Sequence, residues 1–102
     1  MAEWSVERTR EWMMKTLYEK YVEDERASIR LSATLPLEAT ASHPHSDDII
    51  RECKQLASFG WIEILTQAYG YLFARLTPAG RTAWEAFLEK KANDHAAVLS
   101  PQ

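Results

Sequence analysis

The chain has a single cysteine, Cys53, so no intrachain disulfide can staple it, and its stability must come from an apolar core. Three glycines and four prolines in 102 residues are too few for a low-complexity chain. No apolar run approaches the ~18 residues of a membrane span, and the charged N-terminus lacks the apolar stretch of a signal peptide. A cytoplasmic protein with no membrane attachment is expected. Positive charge is also scarce: 12 Lys and Arg stand against 15 Asp and Glu, for a net charge of -3. That excludes a strongly basic nucleic-acid binder, although a local basic patch remains open. What the chain does have is a 46% apolar share that includes four Trp, four Tyr and three Phe. At this length one core forms without help from metals, and so heavy an aromatic load points to an interface as well.

Residues 3–25 contain no Gly or Pro, and among Trp4, Trp12, Met13, Met14, Leu17, Tyr18, Tyr21 and Val22 steps of three and four recur. This spacing predicts a long first helix. Ala27 to Ser32 alternates apolar and polar, as a half-buried strand does. Pro36 to about Ala41 suits a short helix with proline at its first turn, and Ser42–His45 a turn. Ser46 then reads as an N-cap, with Asp47 and Asp48 in the positive first turn. Ile49, Cys53, Leu56 and Ala57 lie on one face of that helix, which stops at Phe59-Gly60. Trp61–Gln67 and Tyr71–Thr77 read as a hairpin closed by Ala68-Tyr69-Gly70. That loop sets Glu63 opposite Arg75, Leu65 opposite Phe73 and Gln67 opposite Tyr71. Thr77-Pro78 caps a last helix that turns Ala83, Trp84, Phe87 and Leu88 inward and runs to about Ala97. One domain over residues 1–98 and a loose tail, 99–102, are expected.

The fold class expected is α+β, mainly helical. The order helix, strand, helix, helix, hairpin, helix is that of a winged helix-turn-helix with long N- and C-terminal helices. Two runs strengthen it. Ile49 to Ile62 looks like a recognition helix, a glycine and the first wing strand. Arg75-Leu76-Thr77-Pro78-Ala79-Gly80-Arg81 looks like the end of the second wing strand and the next helix. Over residues 46–88 the chain resembles the small winged-helix transcriptional regulators of the PadR and MarR type. The resemblance implies a homodimer, paired through the terminal helices, that represses transcription.

On the second long helix the solvent face offers Asp48, Arg51, Glu52, Lys54, Gln55 and Ser58. Arg51 and Gln55 are placed to read base edges in a major groove and Lys54 to meet a phosphate, with Ser46 or His45 near the backbone at the helix start. Double-stranded DNA is then the partner. The hairpin tip carries no positive charge, while Leu65, Tyr69, Tyr71 and Phe73 give the wing an apolar face of the kind that meets protein. With Trp4, Trp12 and Met13 of the first helix they are candidates for dimer or partner contact. Met13 and Met14 point about 100° apart, which suggests a second subunit covering one of them. A protein-interaction module that binds no DNA is therefore the alternative reading. His43, His45 and Cys53 make only three of the four ligands a structural zinc requires. No nucleophile–base pair or phosphate-cradling loop appears, so neither cofactor nor enzymatic activity is expected.

Overall fold

A computed structural model of the chain describes residues 4–24, 26, 28–32, 39–68 and 71–93. Helices α1 (Val6–Glu23), α2 (Ser46–Ser58) and α3 (Pro78–Asn93) outweigh strands β1 (Ile29–Ser32), β2 (Ile62–Ala68) and β3 (Tyr71–Leu76). The strands form one antiparallel sheet in the order β1-β3-β2. The architecture is α+β and mostly helical.

Helix α1 begins later than its apolar stripe suggests, because Ser5 caps it by accepting the Arg8 amide at 3.0 Å. It lies against α2, β1, β3 and α3. Met13 and Met14 are consequently both 0% exposed. The divergence of this pair, which suggested a second subunit, is resolved within the chain, and Met13 is core rather than a partner contact. Around them close Leu17, Ile49, Cys53, Leu56, Ile62, Leu72, Ala74, Leu76, Trp84 and Phe87.

Of the short helix expected over 36–41, residues 36–38 lie outside those described. Residues 39–43 are not helical. There Thr40 donates its amide to His43 O at 2.8 Å and accepts the Ser42 amide on its hydroxyl at 3.2 Å, a local turn that competes with a helix. At the start of α2 the cap is His45, not Ser46. His45 Nδ1 accepts the Asp47 amide at 3.0 Å, while Ser46 is turned inward as the first helical residue.

The end of α2 is built from hydrogen bonds. Trp61 N reaches Leu56 O at 3.1 Å and Gly60 N reaches Ala57 O at 2.9 Å, a Schellman closure that needs Gly60 at φ 80°. Thr77 N then donates to Trp61 O at 3.0 Å and Thr77 Oγ1 to Gly60 O at 2.6 Å. The same hydroxyl accepts the Gly80 amide at 3.0 Å, capping α3. A β-carbon on Gly80 would stand 1.9 Å from Trp61 O. The Leu-Thr-Pro-Ala-Gly run is thus the weld between α2, the sheet and α3.

The base of the hairpin has the expected register, with Ile62 opposite Leu76, Glu63 opposite Arg75 and Ile64 opposite Ala74. Toward the tip the register differs. A bulge between Ile64 and Thr66 absorbs Leu65, so that Thr66, not Leu65, opposes Phe73, and Ala68, not Gln67, opposes Tyr71. The extra residue sits within strand β2, between Ile64 and Thr66. On α3, Trp84 and Phe87 stack inward at 5.2 Å, whereas Leu88 falls past the edge of that stripe and is exposed. Tyr18 Oη donates to Glu85 Oε2 at 3.0 Å and Lys91 pairs with Glu11, tying α3 to α1. The expected continuation of the last helix to about Ala97 and the tail 99–102 lie outside the described residues.

Candidate nucleic-acid interface

Helix α2 separates its two faces cleanly. Ile49, Cys53 and Leu56 enter the core, and Asp47, Arg51, Lys54, Gln55 and Ser58 are exposed on the opposite side with Asp48 half-buried beside them. Three residues expected to touch DNA (Arg51, Lys54 and Gln55) therefore share one ridge. Lys54 and Gln55 have no side-chain hydrogen bond or ion pair among the described residues. Of the other two, His45 is half-buried with Nδ1 engaged in the cap. Ser46 is 2% exposed and so lies inside rather than on the outer ridge.

Glu52 is the residue the helical face assignment misplaced. It is 3% exposed, on the core side, and not on the outer face. Its carboxylate is divided between two guanidinium groups. Arg10 Nε of α1 donates to Oε1 at 2.8 Å, and Arg51 Nε donates to Oε2 at 3.0 Å. Arg10 also lies over the Phe59 ring at 5.4 Å, with a side chain 13% exposed. Arg51, 59% exposed, makes a second bond from Nη2 to Asp48 Oδ1 at 2.9 Å. The Glu52 hydrogen bond holds the Arg51 guanidinium above its ordinary value, against desolvation, which comes next and lowers it, with Asp48's charge adding to the rise. A signal for this site was present in the sequence. Ile49, Glu52, Cys53 and Leu56 follow the i, i+3, i+4, i+7 spacing of a core stripe, and an acid there needs a cation from elsewhere.

With Glu52 neutralised inside, the outer ridge balances Arg51 and Lys54 against Asp47 and Asp48. The two acids stand in the first turn, where the helix dipole favours them.

At the base of the wing Arg75 Nη2 donates to Glu63 Oε2 at 3.1 Å. Leu65, at the bulge of edge strand β2, is 43% exposed, and Phe73 is half-buried. Tyr71 opens β3; Tyr69 lies outside the described residues. Just before α1, Trp4 is used within the chain: its Nε1 donates to Thr40 O at 2.7 Å, and Arg8 lies over its ring at 3.9 Å. Trp12 meets the His43 ring edge-on at 4.9 Å.

Among the described residues no three His, Cys, Asp or Glu side chains gather as metal ligands. Burial pushes the Cys53 thiol from 9.0 up to about 12, so it is not a thiolate near neutral pH. An open cleft of about 300 Å³ lies between Tyr21, Arg26, Glu63, Arg75 and Pro78. No helix among the described residues is long and apolar enough to cross a membrane. Compared with known family models, curated proteins and solved structures, the chain matches none.

Proposed function

We propose that the chain is a winged-helix transcriptional regulator of the cytoplasm, a repressor that binds double-stranded DNA as a homodimer. Helix α2 is the element that enters the major groove and the β2–β3 hairpin is the wing. The sheet order β1-β3-β2 behind α2 and the resemblance over residues 46–88 support the winged-helix part of this reading. The observation that carries the DNA part is the outer ridge of α2, on which Arg51, Lys54 and Gln55 are exposed together while Glu52 is taken inside. Two-fold pairing would set two such ridges about one DNA turn apart, ~34 Å.

The test is fluorescence anisotropy on labelled mixed-sequence duplex, with light scattering to establish the dimer. Binding that weakens steeply between about 50 and about 200 mM salt is the expected result. Arg51→Ala should cost about 1–3 kcal/mol, and Lys54→Ala should weaken binding to all sequences alike and lower the salt slope by about 1. A folded dimer that does not bind at micromolar concentration overturns the reading.

One observation favours a second reading, that of a protein-interaction module. Leu65 is exposed at a bulge on an edge strand whose tip has no Lys or Arg, and an apolar edge suits a protein partner. Under that reading Leu65→Asp abolishes a complex and Arg51→Ala has no effect on it.

A further inference from the structure

We infer that Arg10, on α1 and away from the outer ridge, is a positioning residue for DNA contact: it holds Glu52 so that Arg51 is released to the nucleic acid. The inference rests on the DNA-binding reading and deepens it.

The geometry is a carboxylate with one oxygen for each arginine. Arg10 takes Oε1 at 2.8 Å and Arg51 takes Oε2 at 3.0 Å. The two guanidinium groups differ in freedom, since the Arg10 side chain is enclosed between the helices whereas that of Arg51 is mostly in solvent. A guanidinium that turns toward a phosphate or a guanine edge must leave both its acids. Leaving a buried carboxylate without a cation is strongly unfavourable. Glu52 escapes that penalty because Arg10 stays. Asp48 escapes it because it lies in the first turn of α2, where the free amides and the helix dipole favour a negative charge. Arg51 therefore departs without stranding either charge. Without Arg10 the same carboxylate has Arg51 as its one remaining cation among the pairs described, and Arg51 is held.

The test is a double-mutant cycle on the intact chain, with a labelled mixed-sequence duplex as the probe and circular dichroism to verify folding. Arg10→Gln should weaken binding about as much as Arg51→Gln does, on the order of tenfold. It should also lower the slope of log affinity against log salt by about 0.9, the share of one phosphate contact. Arg10→Gln with Arg51→Gln should be no weaker than either alone, because both remove the same contact. Arg10→Gln with Glu52→Gln, which removes the charge to be held and avoids a stranded carboxylate, should return the affinity and the slope to wild type. Additive losses in the cycle, or an Arg10→Gln/Glu52→Gln variant that folds but stays weak, overturn the inference and leave DNA binding standing. A wild-type chain that shows no salt-dependent binding overturns both.

Discussion

Two seams hold this small molecule together, and they are made of different materials. Between α1 and α2, beside the apolar core they share, the seam is electrostatic, a buried carboxylate between Arg10 and Arg51. Between the end of α2, the sheet and α3 it is steric and hydrogen-bonded, with Gly60, Trp61, Thr77 and Gly80 in near-contact through their backbones. The electrostatic seam can exchange partners, because a guanidinium can turn from one anion to another at modest cost. The steric weld has no alternative arrangement, because a carbonyl already fills the space a larger residue would need. The contact that can rearrange is therefore the Arg10–Glu52–Arg51 set between α1 and α2, and the junction of α2, the sheet and α3 is the fixed one.

The largest effect expected from this contrast is at Gly80. Its Cα lies so close to Trp61 O and the Leu76 side chain that alanine would have to force the strand start and the helix apart. Gly80→Ala should cost about 3 kcal/mol or more, as overpacking against a well-packed site does at its upper end. Urea unfolding measures it, and a loss under about 1 kcal/mol would show that the weld yields. Arg10→Gln comes next. It removes one of two cations from a buried acid, so about 2 kcal/mol is expected, below the 3–5 kcal/mol of a fully broken buried pair. This loss should shrink when Glu52→Gln is added, whereas the Gly80→Ala loss should not.

The same contrast explains how much of the fold and the interface was legible in the residues. The weld was legible because its parts are local: a glycine after an amphipathic helix and a Thr-Pro pair before the next specify caps within a few residues. The hairpin base was legible through Glu63 and Arg75, which must oppose each other for the leucines to face inward. The hairpin tip was not. Ile64 and Leu65 are adjacent and both apolar, so strict alternation is broken where the bulge lies, and a bulge is indistinguishable by count from a longer turn. Arg51, Lys54 and Gln55 were legible as one ridge by helical spacing alone. The Arg10–Glu52 bond was not, because it joins residues 42 positions apart and nothing local to either names the other. Met13 was assigned to a partner for a similar reason, since the neighbours that bury it come from distant elements.

Gly60 and Cys53 give smaller effects that sharpen the comparison. Gly60→Ala places a β-carbon in open space but keeps a φ of 80°, so the cost should be the ~1–2 kcal/mol of a left-handed alanine and no more. Gly60 and Gly80 flank one junction and should differ by the clash alone. For Cys53, the folded thiol titrates near 12 against 9.0 when unfolded. Below pH 9 both states hold the proton and stability is unaffected. As pH rises from 9 toward 12 the unfolded chain loses its proton first, and stability falls. Cys53→Ala should remove that part of the alkaline slope in pH-dependent denaturation while leaving the α1–α2 ion pairs as they were.

The smallest effect is the most discriminating. Arg51 makes two ion pairs, yet its side chain is largely exposed, and exposed pairs contribute about 0–1 kcal/mol. If Arg10 alone is enough for Glu52, Arg51→Ala should change stability by less than about 1 kcal/mol while Arg10→Gln costs about twice that or more. The asymmetry is the thermodynamic counterpart of a guanidinium free to leave. Equal losses at the two arginines, measured by urea unfolding in one buffer, would mean that Glu52 needs both. The α1–α2 seam would then be as fixed as the weld, and α2 would present a ridge whose one arginine is locked.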